Sequence, residues 1–228
     1  MGNRMDVKSC LPKPARMVKK WKQEGVAVAT LGDYVEYVDF DQMPDEDVVI
    51  TDTAGGIVTF LRVKYNGFPE EGDEVSPSDT NYPKLFRVHT GDIVLSNINA
   101  VHGAIAVIPE EFDGLVVSHE FTICRAKNGR DPRLIWSLLR SPQMRADLLL
   151  MASGIGRHRV QWENVVQLML PVPATETTAD VVQKIAQAEE QERVAARLRQ
   201  EAQSLLESAF HLNTTTAQNI LAAFKPPK

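Results

Sequence analysis

The sequence predicts an α+β fold: a mixed, mostly β globular domain followed by one long C-terminal helix that forms a coiled coil. Residues 91–123, GDIVLSNINAVHGAIAVIPEEFDGLVVSHEFTI, read as strand, polar turn, strand, turn, strand, with the polar residues gathered in the turns. Residues 179–210 hold no Gly or Pro and are rich in helix formers. Within them Ala188, Ala195, Ala202 and Ala209 recur every seven residues, and Leu198 and Leu205 each follow an alanine by three. That is the spacing of a coiled-coil seam with Ala at one core position and Leu at the other.

The order of signals divides the chain into a basic helical segment (1–25), a globular domain (26–175), a long helix (176–212) and a tail (213–228). PKPARMVKKWKQ (12–23) predicts a short helix with Pro at its start. VAVATLGDYVEYVDF (26–40) alternates and should open a sheet, and IVTFLRVKYN (57–66) reads as a strand with polar residues at its end. Residues 66–83, with Pro, Gly and many acids, predict a long loop. Asp131-Pro132 and Ser141-Pro142 each start a helix, because Ser or Asp before a first-turn Pro suits an N-terminus. SGIGRHR (153–159) is a Gly-rich turn, and VVQLMLPVP (165–173) a short buried strand stopped by proline. The helix over 179–210 would be about 48 Å long at ~1.5 Å per residue, more than a domain of this size can cover. A partner helix is therefore expected along at least half of it, with packing on the chain's own sheets as the alternative.

Composition excludes several classes. At 228 residues, 43% hydrophobic and 24% charged, the chain suits one well-buried domain plus an appendage. No apolar run approaches the roughly 20 residues of a membrane span. The basic N-terminus lacks the apolar core of a secretory signal, so a cytoplasmic protein is expected. Cys10 and Cys124 fit a reducing compartment, and the five histidines show no ligand spacing with them, so no metal site is expected. The net charge of −5 is uneven: residues 33–80 hold thirteen acids against two bases, whereas residues 1–32 hold seven bases against two acids. An acidic total argues against nonspecific coating of nucleic acid, but a locally basic face can still grip phosphates.

Catalytic patterns are missing. Pro44-Asp45 is not followed by the Glu/Asp-x-Lys of a magnesium nuclease, and the lone Asp6-x-Lys8 precedes it. No Asn/Asp-Pro-Pro-aromatic loop or Gly-x-Ser-x-Gly elbow occurs, and no Lys-Ser/Thr pair follows Ser153–Gly156. No catalytic residue and no cofactor are expected. What remains is a set of readers. Asn97, Asn99 and His102 cluster in one turn, and Arg157, His158 and Arg159 in another; Lys64 and Tyr65 end a strand. Asn can pair both edges of adenine and Arg those of guanine, while glycines admit a backbone close to phosphate. Each signal has a plain alternative: a turn-forming Asn, or a solvated basic loop. Trp21, Trp136 and Trp162 are expected in the core rather than as stacking platforms.

In order, LGDYVEYV, GDIVLSNINAVHGAIAVIPEEFDGLVVSHEF, the Pro-started helical pair, SGIGRHR and VVQLMLPVPATETTADVVQKIAQAE resemble a target-recognition domain and spacer helix of the specificity (S) subunit of bacterial type I restriction–modification enzymes, over about residues 26–210. The resemblance implies a non-catalytic reader of double-stranded DNA. Each recognition domain contacts half of a split target, antiparallel helices set the spacing, methyltransferase subunits dock on the helices, and motor-nuclease subunits join through them. A complete member carries two recognition domains and two helices, whereas this chain shows one of each and no internal repeat. A homodimer through antiparallel helices would rebuild the pair. The family's Glu-Gln after the proline strand is replaced by Ala174–Ala179, ATETTA, which bears on how methyltransferase would dock. Two other readings stay open: an assembly module of a restriction or defence complex that does not read DNA, and the detached recognition part of a methyltransferase or nuclease.

Overall fold

Because its β-branched runs are short, the chain builds three small sheets. The computed structural model describes residues 14–152 and 159–210. β1 (Val28–Thr30) pairs with β11 (Met169–Pro171). A four-stranded sheet has the order β2 (Val35–Tyr37), β10 (Phe121–Ala126), β7 (Ile93–Ser96), β8 (Ile105–Val107). The five-stranded sheet runs β3 (Val48–Ile50), β6 (Lys84–Arg87), β9 (Val116–Val117), β4 (Val58–Val63), β5 (Pro69–Val75). Every pairing is antiparallel except β4 with β9.

β7 is buried along its whole length, and its period-two alternation sends side chains to two cores. Ile93 and Leu95 join a cluster with Tyr34, Ile135, Leu139 and Leu148, while Val94 joins Leu61, Phe86 and Ile123. The first cluster is closed by α1 (Pro14–Gln23), α2 (Leu31–Tyr34), α3 (Pro132–Arg140), α4 (Pro142–Met151) and α5 (Trp162–Val165). Both proline starts hold: Asp131 accepts from the Arg133 N–H at 2.8 Å, and Ser141 Oγ from the Met144 N–H at 3.3 Å. Trp21, Trp136 and Trp162 pack half-buried against this cluster, as expected. Cys124 is fully buried, and burial pushes its thiol well above the ordinary range. Cys10 lies outside the described residues.

Two sequence expectations need correction. Residues 26–40 do not form one strand. They are split by α2, so β1 and β2 enter different sheets. The cause is a cap: Thr30 donates through its N–H (2.8 Å) and hydroxyl (2.7 Å) to the Asp33 carboxylate, which starts a helical turn. These bonds hold the Asp33 carboxyl below its usual range. The expected loop 66–83 contains the seven-residue strand β5, PEEGDEV. β5 is an edge strand, where one row of backbone groups has no neighbour, so an initial Pro and a run of carboxylates are tolerated. Glu70 pairs with both Arg62 and Lys64 of the neighbouring β4 hairpin arm.

The long helix α6 covers Thr175–Phe210. The chain divides into two units within it, one through Val182 and the other from Gln183. No α6 residue is buried; Leu198, Leu205 and Phe210 are 54%, 71% and 68% exposed. Pairs such as Arg197–Glu201 (3.5 Å) and Gln203–Glu207 (3.0 Å) run along its surface and contribute a few tenths of a kcal/mol each. No helix among the described residues is long and apolar enough to cross a membrane.

Candidate nucleic-acid interface

Two tight loops from different sheets meet at one edge of the molecule. The first joins β4 to β5. The Gly67 N–H donates to the Lys64 carbonyl at 2.9 Å, and Gly67 sits at φ +86°, which only glycine adopts readily. The turn leaves Tyr65 60% exposed at its tip. The second loop joins β7 to β8 through a 3-10 turn, Ala100–His102, ended by Gly103 at φ +103°. Ala100 is its buried anchor, Asn99 N–H donates to the Ser96 hydroxyl at 3.2 Å, and Ala104 N–H returns to the Asn99 carbonyl at 3.1 Å.

Tyr65, Asn99 and His102 are brought together across these loops. The Tyr65 hydroxyl lies 3.5 Å from Asn99 Oδ1, and its ring centroid is 5.8 Å from that of the exposed His102. A bond of 3.5 Å is weak, so Asn99 keeps most of its hydrogen-bonding capacity for another partner. Lys64 is also at this edge, ion-paired with Glu70.

Asn97 is placed differently. Its Oδ1 accepts from the Thr122 hydroxyl at 2.7 Å, its Nδ2 donates to the His119 carbonyl at 3.3 Å, and its carbonyl accepts the Val160 N–H at 2.7 Å. The residue works as an internal tie: its side chain links β7 to β10 and the His119 turn, and its backbone carbonyl holds the segment leading to α5. Arg159 is held by Glu120 in a two-pronged pair of 3.1 and 2.7 Å, which strengthens its hold on its proton. Because the Asn97 N–H donates to the Glu120 carbonyl, Arg159 adjoins the Asn97 turn. Arg157 and His158 lie outside the described residues.

Sequence reasoning passed over Trp136 and Arg140, one helical turn apart on α3. Trp136 Nε1 donates to the Ile105 carbonyl (2.8 Å) and the Gly67 carbonyl (3.3 Å). The Arg140 guanidinium donates to the carbonyls of Gly103 and, at 3.4 Å, Tyr65, and lies 4.9 Å from the Trp136 ring centroid. The i, i+4 spacing of Trp and Arg on a helix was the available signal. On α4, Arg145 donates to the Val101 carbonyl at 3.0 Å, so two guanidinium groups underlie the same loop; burial first, and the charge of Arg145 second, loosen the hold of Arg140 on its proton. Among the described residues no carboxylate pairs with Arg140, and no cluster of His, Cys, Asp and Glu could hold a metal.

The helix residues singled out by the heptad, Ala188, Ala195, Leu198, Ala202, Leu205 and Ala209, all lie on α6 with none buried.

No protein-family model and no curated protein matches the sequence. Solved structures do match. The HsdS subunit from Thermoanaerobacter tengcongensis aligns over 81% of this chain and 47% of its own, at a TM-score of 0.51 and 21% identity. A chain from a study of complex assembly and conformational transition in the type I restriction–modification system aligns over 89% of this chain and 52% of its own, at a TM-score of 0.51 and 20% identity. The chain thus spans about half the length of the structures it matches. Its mixed sheets and long C-terminal helix have the fold of a type I S-subunit recognition domain with its helix.

Proposed function

We propose that this chain is a sequence-specific DNA-binding specificity subunit of a type I restriction–modification system. In this reading Tyr65, Asn99 and His102 read half of a split target in double-stranded DNA, and Lys64 contacts phosphate nearby. Arg157 and His158 contact the same target, while Asn97 and Arg159 set the shape of the reading edge. The chain supplies recognition only; methylation belongs to methyltransferase subunits docked through the helix, and cleavage to motor-nuclease subunits joined through them. Residues 26–175 form the recognition domain, and residues 176–212 the spacer that pairs antiparallel with a second copy.

One observation carries the reading of DNA: two loops from separate sheets converge to present an amide, an imidazole and a phenol on one exposed edge. Asn suits the two-bond edge of adenine in the major groove, and the aromatic pair can contact a sugar or thymine methyl. Convergence in a fold shared with S subunits supports recognition rather than a solvated turn. The test is a competition gel shift with random-sequence duplexes, alone and with the cognate methyltransferase subunit. Selective, salt-dependent retention is expected, and Asn99→Ala should lower it by about tenfold or more. Absence of any selective binding even with methyltransferase present would sink the reading. The assembly-module alternative would gain from reading turns on opposite faces; Arg159 beside the Asn97 turn favours the reader.

A further inference from the structure

The convergence of the two loops needs a cause, since hairpin tips of separate sheets have no backbone ladder between them. Arg140 supplies two links, to the Gly103 carbonyl in one loop and the Tyr65 carbonyl in the other. Trp136 supplies a second pair, to Ile105 and Gly67. Both residues therefore bridge the same two segments from one face of α3. The fit is close at both glycines. A Cβ at Gly67 would overlap the Arg140 guanidinium, and a Cβ at Gly103 would stand 2.6 Å from the Tyr65 carbonyl oxygen. At Gly103 the two loop backbones thus approach more closely than a residue with a Cβ permits, whereas at Gly67 it is the Arg140 side chain that would have to give way.

We propose that Arg140, stacked on Trp136, is a positioning residue that locks the β4–β5 and β7–β8 loops into a single reading unit, so that it governs discrimination between DNA sequences without touching a base. This deepens the proposed function and rests on it. A guanidinium suits the task because its planar fork can reach two carbonyls at once, whereas a lysine offers a point charge. Bonding to carbonyls also satisfies its donors without neutralising its charge, so the loop above keeps a positive potential toward phosphate.

The test uses the full chain and two probes: the duplex it retains from a random-sequence pool, and a shuffled duplex of the same composition. For Arg140→Lys we expect affinity for the retained duplex to fall by about tenfold or more. Affinity for the shuffled duplex should change by about twofold or less, with an unchanged salt slope, because the charge is kept. Equal losses on both probes, or no loss, would overturn the proposal. Amide hydrogen exchange on Arg140→Met examines the lock without DNA. Residues 64–68 and 99–104 should exchange faster together while β7 and α4 stay protected. Loosening of one loop alone, or of the whole domain, would overturn the lock. If the unaltered chain retains no sequence, the DNA-reading function fails and takes the role in discrimination with it; the exchange result then still decides whether the lock exists.

Discussion

α3 and α6 are both helices of this chain, and they satisfy their side chains in opposite ways. α3 is nine residues long and fully buries Ile135 and Leu139, while Trp136 and Arg140 are spent on carbonyls of neighbouring loops. α6 is four times longer, about 54 Å at ~1.5 Å per residue, and buries nothing, with Leu198, Leu205 and Phe210 mostly in water. A helix in isolation draws little stability from propensity, and most comes from packing an apolar face. The short helix has found its partners within the chain. The long one carries a heptad seam with none of its residues buried, which the proposed second helix would cover.

The sharpest way to break this contrast is to charge the seam. Leu198→Asp with Leu205→Asp should raise the dissociation constant of a self-associated form by about 100-fold or more, since each buried Leu contributes ~1.5–3 kcal/mol. Sedimentation against concentration measures this, and no change would remove α6 from the interface. The mirror experiment is Ile135→Ala. It should lower unfolding stability by about 2–4 kcal/mol in urea titration while leaving self-association intact, because Ile135 is wholly buried in the first core. Arg159→Ala should lower unfolding stability only slightly in the same titration, since the Arg159 side chain is 42% exposed and its pair with Glu120 is screened. A larger loss would mean that the Arg159 end of its loop is a structural pillar.

The smallest effect concerns Asp147 on α4. Burial raises its carboxyl above the usual range, partly offset by the Gln143 amide at 3.1 Å. The folded carboxyl therefore keeps its proton to higher pH than the unfolded one. Its contribution to stability is best at low pH and declines as pH rises from the unfolded value near ~4 through the raised folded value. Asp147→Asn should flatten that decline in urea titrations run upward from about pH 4. An unchanged slope would show that the carboxylate is not disfavoured.

Much of the fold was legible where local chemistry decides the matter. The Pro-started helices, the strands around 93–107 and the uninterrupted long helix follow from caps, alternation and the lack of breakers. β5 was not legible, because its carboxylates are compatible with a strand only at a sheet edge, and edge position is a property of topology. α2 could have been seen in Thr30-x-x-Asp33, which the apolar alternation around it disguised. At the candidate interface, the turn residues Asn99 and His102 and the strand-end Tyr65 were singled out by residue type. Their meeting was not foreseeable, since Tyr65 lies 34 residues or more from the other two, on a hairpin of a separate sheet. The internal use of Asn97 and Arg159 likewise depends on Thr122 and Glu120, brought near only by folding.

The glycines at 67 and 103 separate two jobs that a loop usually mixes. They and the carbonyls beside them fix the path of the chain, whereas the outward groups of Tyr65, Asn99 and His102 take little part in holding it. Such a frame works like a type holder: letters can be exchanged at its face without recasting the metal. On the proposed function, retargeting this protein would begin at those three positions, with 67, 103, 136 and 140 left alone.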